Sequence, residues 1–173
     1  MLLQGSFWHS DLTYSSVQIP GGIIFRVGWK GDQFDIECRS LQFGVMKSGI
    51  DAIRAKLEAA IAEKSVEPYG PKSALIVDVT NIHAHGTDES HLFDSPTSMT
   101  DLLRGIQSRQ RIKFGSIITV TWNYLPRRGG WESGYVRYDD SSASGRLVRF
   151  LDRAFPISRR LHIIEDGTVP FRT

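Results

Sequence analysis

Asp35, Glu37 and Arg39 alternate along the segment QFDIECRS, residues 33–40. A strand repeats every two residues, so the two carboxylates and the guanidinium share one face, with Phe34, Ile36 and Cys38 on the other. Two carboxylates beside a fixed cation suit a divalent metal such as Mg²⁺ at a phosphodiester. The carboxylates hold the ion, and the ion activates water and stabilises the charge that develops at phosphorus. The same pattern also suits an exposed strand face with a cross-strand salt bridge.

A second cluster follows the apolar segment SALIVDVT, residues 73–80. His83, His85, Asp88 and His91 fall within NIHAHGTDESH. Neutral imidazole and carboxylate are good Zn²⁺ ligands, so His83, His85 and Asp88 form an alternative zinc site; a polar surface loop is the plainer reading. Ligand-rich loops after parallel strands are also where α/β proteins place sites. Asp78, inside the apolar run, must be paired, hydrogen-bonded or protonated if buried, which makes it either a site residue or a structural partner for an arginine.

Arginine supplies the third candidate. Residues 1–102 carry 8 Lys/Arg against 13 Asp/Glu, whereas residues 103–173 carry 13 against 6, all but one of them Arg. Arg104, Arg109 and Arg111 fall on or just after an expected helix. Arg127 and Arg128 lie near Trp122, Tyr124 and Trp131. Basic groups interleaved with aromatics suit phosphate contact and base stacking, so these five arginines are the candidate nucleic-acid contacts. A solvated basic surface with core or partner-facing tryptophans accounts for the same residues.

The elements that must position these groups read as α/β. Residues 12–19, 23–29 and 33–40 predict three strands, broken by Pro20-Gly21-Gly22 and by Lys30-Gly31-Asp32, with a hairpin at the second break. Ser48 with Asp51 forms an expected capping box, and Ile50, Ile53, Leu57 and Ile61 recur at helical spacing, leaving Lys64 with the polar residues. Residues 73–80 predict a central strand buried on both faces. Ser98 with Asp101 caps a second helix whose stripe is Met99, Leu102, Leu103 and Ile106, and residues 116–122 predict another strand. Glycine-rich 125–145 predicts a loop or irregular hairpin, with 135–138 as a short strand. Residues 145–155 look helical and 160–165 predict a last strand. The expectation is one α/β domain over residues 1–173, with a mixed central sheet, an N-terminal β-hairpin or meander and two main flanking helices.

The chain has 173 residues, 40% hydrophobic and 23% charged, which excludes disordered, collagenous and coiled-coil classes. No apolar run approaches the ~18 residues of a membrane span. One cysteine, Cys38, precludes an internal disulfide, and with no signal-peptide pattern at the start this predicts a cytoplasmic protein with no membrane association.

Over residues 11–80 the order of elements resembles the PD-(D/E)XK, or restriction-endonuclease-like, nuclease superfamily. The resemblance rests on a hairpin whose second strand carries FDIECRS, then the helix AIRAKLEAAIAEK, then SALIVDVT. It implies that Glu37 is a metal-binding carboxylate and that Arg39 occupies the family's lysine position, where it can stabilise charge but not act as a base. The preceding strand, IIFRVGW, has no carboxylate, so under the resemblance the family's first Asp, the second metal ligand, is Asp11 or is missing. The expected function is a nuclease-like domain that binds or cleaves DNA or RNA with Mg²⁺, using Glu37, Arg39, Asp35 and Asp11. One alternative is a non-catalytic interaction or sensor module that joins a protein partner in a larger assembly. A second is a zinc-dependent hydrolase.

Overall fold

The computed structural model describes residues 12–19, 22–41, 50–64, 69–80, 96–111, 113–125, 130–157 and 161–164. Seven strands form one sheet in chain order: β1 (Leu12–Ile19), β2 (Gly22–Trp29), β3 (Asp32–Ser40), β4 (Ser73–Asp78), β5 (Ser116–Leu125), β6 (Gly130–Asp139) and β7 (Leu161–Ile164). β1–β3 are an antiparallel meander, β3–β5 run parallel, and β5–β7 are antiparallel again. The mixed sheet and meander agree with the sequence pattern.

The β2–β3 turn is set by two residues. Lys30 has φ 50° and Gly31 φ 81°, the left-handed pair that matches the twist of a two-residue hairpin. Parallel pairing at β3–β4 and β4–β5 needs crossovers. These contain α1 (Ile50–Lys64) and α2 (Pro96–Ser108). Both lie on one face, where Leu57, Ile61, Met99, Leu103 and Ile106 meet Leu75, Val77 and Ile117 of the sheet. Two successive crossovers of the same hand, moving the same way across a sheet, must share a face.

Two main helices do not suffice, because the sheet has a second apolar face. Val27, Phe34, Ile36, Ile76, Ile118 and Val120 point the other way, and α3 (Gly145–Ala154) covers them with Leu147, Phe150 and Leu151. Phe34 stacks on Phe150 with ring centroids 5.1 Å apart. Ser144 caps α3 by accepting a hydrogen bond from the Arg146 backbone N–H. β4 explains the three-layer build: five of its six residues are buried.

One boundary differs from expectation. Ser98 is not the cap of α2, which begins at Pro96; proline fits a first helical turn, where its missing N–H costs no hydrogen bond. Of the two forms expected for the glycine-rich stretch, the hairpin is the one present: β5 and β6 pair over ten residues, from Ser116↔Asp139 to Leu125↔Gly130. Among the described residues no helix is long and apolar enough to cross a membrane.

Candidate functional site

β3 lies between β2 and β4, with Glu37 opposite Ile24 on one side and Leu75 on the other. The alternation of β3 turns Glu37 toward α1, where it is 1% exposed. An ionised carboxylate there requires compensation. It comes from Lys64, the last residue of α1, whose Nζ lies 2.6 Å from Glu37 Oε1, and from Tyr69, whose hydroxyl donates to Oε2. Lys64 is buried as well, and Tyr69 packs on Phe114 with centroids 4.6 Å apart. The ammonium also sits at the helix C-terminus, the negative end of the α1 dipole.

The neighbours of Glu37 on its face are committed elsewhere. Asp35 receives Arg26 Nε across the β2–β3 pair at 2.9 Å, and this hydrogen bond raises the Arg26 pKa. Arg39 lies 2.7 Å from Glu63 on α1 and holds the Glu63 carboxyl below its usual range, chiefly by hydrogen bonding. The shared face expected for Asp35, Glu37 and Arg39 is present, but each residue pairs with a different one: Arg26, Lys64 and Glu63.

At Glu37 both carboxylate oxygens already have donors. A metal ligand needs an oxygen lone pair facing the ion and a second donor beside it. Both Glu37 oxygens instead face donors, one of them a cation. Among the described residues no group of three or more His, Cys, Asp or Glu could hold a metal. Asp11, His83, His85, Asp88, Arg127 and Arg128 lie outside the described residues.

Asp78, at the end of β4, is half-buried and accepts the Thr80 backbone N–H at 2.9 Å. It caps the chain after the strand, in place of the arginine partner expected for it. Cys38 faces the α3 side, and burial pushes its thiol up to about 11, which keeps it protonated and unreactive near neutral pH.

The arginines expected to face nucleic acid separate in the same manner. Arg104 binds Asp101 within α2 at 2.7 Å, and Arg109 reaches Glu58 of α1 at 2.9 Å. Arg111 is exposed. The first two are tied to intramolecular carboxylates.

Two residues that matter at Glu37 were not singled out in the sequence, Lys64 and Tyr69. A signal for Lys64 existed. It stands seven residues after Leu57 and three after Ile61, on the buried stripe of α1 and not on its polar side. No family model matches the chain, and no curated protein or solved structure matches it.

Proposed function

We propose that this chain is a nuclease-like domain that binds nucleic acid without cleaving it, its carboxylate position having become a structural ion pair. The observation that carries this reading is the double engagement of Glu37, by the Lys64 ammonium and the Tyr69 hydroxyl. The order of elements supports the nuclease-like part: an antiparallel meander, then a helix, then a parallel strand, with FDIECRS on the third strand. The loss of metal chemistry follows from electrostatics. A divalent cation at Glu37 would have to displace a buried ammonium from 2.6 Å, leaving Lys64 buried without its carboxylate.

Incubation of the full chain with labelled DNA and RNA in Mg²⁺, Mn²⁺ or EDTA tests the reading. No metal-dependent cleavage is expected, and retention of the labelled strand is expected in all three conditions. Cleavage that requires the metal and disappears in Glu37→Gln contradicts it.

A further inference from the structure

The sheet face opposite Glu37 carries a second concentration of charge. At the β2–β3 turn the Lys30 ammonium lies 5.1 Å from the centre of the Trp29 ring, and the Arg153 guanidinium of α3 lies 5.9 Å from it. Asp32, paired with Trp29 across the hairpin, is approached by Arg146 Nη1 at 3.1 Å and by Lys72 Nζ at 3.4 Å. Arg149 falls three residues after Arg146 and four before Arg153, so the three arginines form one stripe along the outer side of α3. All three are exposed, as are Lys30 and Lys72.

Lys30 and Arg153 thus lie over Trp29, Arg146 and Lys72 reach the neighbouring Asp32, and Arg149 stands between the two arginines on the α3 stripe. The exposed Asp152 carboxylate shares the buried guanidinium of Arg137 with Asp139, so this trio adds one negative charge to that side. On the α3 side Lys30, Lys72, Arg146, Arg149 and Arg153 outnumber the acids beside them, Asp32 and Asp152.

We infer that the outer face of α3 and the β2–β3 turn, centred on Trp29, form the docking surface for single-stranded nucleic acid. This rests on the binding role proposed above. Arg146, Arg149, Arg153, Lys30 and Lys72 take the phosphates, as charge complementarity requires. Trp29 and the Arg153 guanidinium offer flat surfaces against which an unstacked base can lie. A duplex keeps its bases stacked inside and leaves the aromatic unused. An acidic peptide satisfies the cations but has no planar group for Trp29.

The test is fluorescence anisotropy of the full chain in EDTA with a labelled oligothymidylate of about 20 nucleotides. Wild type should bind at about 50 mM salt and weaken steeply as salt rises. The double variant Arg149→Gln, Arg153→Gln changes only exposed side chains. It should bind at least about tenfold more weakly, and the slope of log affinity against log salt should flatten by about 1.4, the counterions of two lost phosphate contacts. Trp29→Leu keeps an apolar contact for Phe150 and should also weaken binding, while Arg104→Gln should leave it unchanged. The inference is overturned by absence of binding at low salt, by wild-type affinity in the double variant, by an equal loss in Arg104→Gln, by preference for duplex, or by polyglutamate competing as well as the oligonucleotide. Because the assay excludes divalent metal, none of these outcomes bears on whether Glu37 is sealed. Metal-dependent cleavage, conversely, would overturn the non-catalytic reading and leave this surface standing.

Discussion

Glu37 Oε1 and Lys64 Nζ lie 2.6 Å apart with both side chains almost wholly removed from solvent. The pair joins the third strand of the sheet to the last turn of α1, and Tyr69 completes it from the segment leading to β4. Charges buried in this way gain little net stability over apolar groups of the same size, but losing one partner is costly. The pair therefore fixes how α1 ends over the sheet. It also withholds the Glu37 carboxylate from solvent.

A second buried cation holds the opposite layer. Arg137 of β6 donates to Asp139 at 2.7 Å, to Asp152 of α3 at 2.8 Å and to the carbonyls of Phe155 and Val148. Arg137→Met leaves these acceptors without their donor and should destabilise the fold by about 3–5 kcal/mol. Arg137→Lys should recover only part of this, because one ammonium cannot reproduce a planar fork. Urea unfolding of the three proteins measures both; a lysine variant as stable as wild type would contradict the role given to the fork.

Cys38 gives a pH dependence of fixed sign. Its thiol is raised by burial from 9.0 to about 11 in the folded chain. The stabilisation from keeping it neutral is fully present below about pH 9 and is lost as the pH rises through 11. The stability of wild type should therefore fall relative to Cys38→Ala between these limits. A difference that stays constant across that range would contradict the assignment. Thiol-labelling reagents should react slowly in native buffer and quickly in denaturant.

The exposed pair between Arg109 and Glu58 bridges α2 and α1 at 2.9 Å. Screening limits such a pair, so Arg109→Ala should cost less than about 1 kcal/mol and still less at high salt. A larger, salt-independent loss in denaturant titration would show that the arginine packs rather than pairs.

Most of the architecture was legible because its pattern is local. The two-residue alternation of β3, the apolar run of β4 and the turn at Lys30-Gly31 each announce themselves within a few residues. β6 was less so, since glycines at 129, 130 and 134 imitate a loop, and its pairing with β5 reaches partners as far apart as Ser116 and Asp139. α3 was visible as a helix, but its layer was not, because periodicity identifies an apolar stripe without saying which face of a sheet it covers.

The site divides along the same line. The common face of Asp35, Glu37 and Arg39 follows from strand geometry. Their separate partners, Arg26, Lys64 and Glu63, come from other elements. Lys64 was detectable as a cation on the apolar stripe of α1. The gathering of Lys30 and Arg153 at Trp29, and of Lys72 and Arg146 at Asp32, was not, since it joins three segments far apart in sequence.

A double-mutant cycle on Glu37 and Lys64, read by urea unfolding, addresses the central claim most directly. If Glu37 is structural, Glu37→Leu and Lys64→Met should each destabilise by about 3–5 kcal/mol, and the double variant should lie close to wild type. A carboxylate kept for metal chemistry behaves in the opposite sense, because functional sites are held at a cost in stability. Glu37→Leu alone equal to or more stable than wild type, with additive effects in the double variant, would contradict the account.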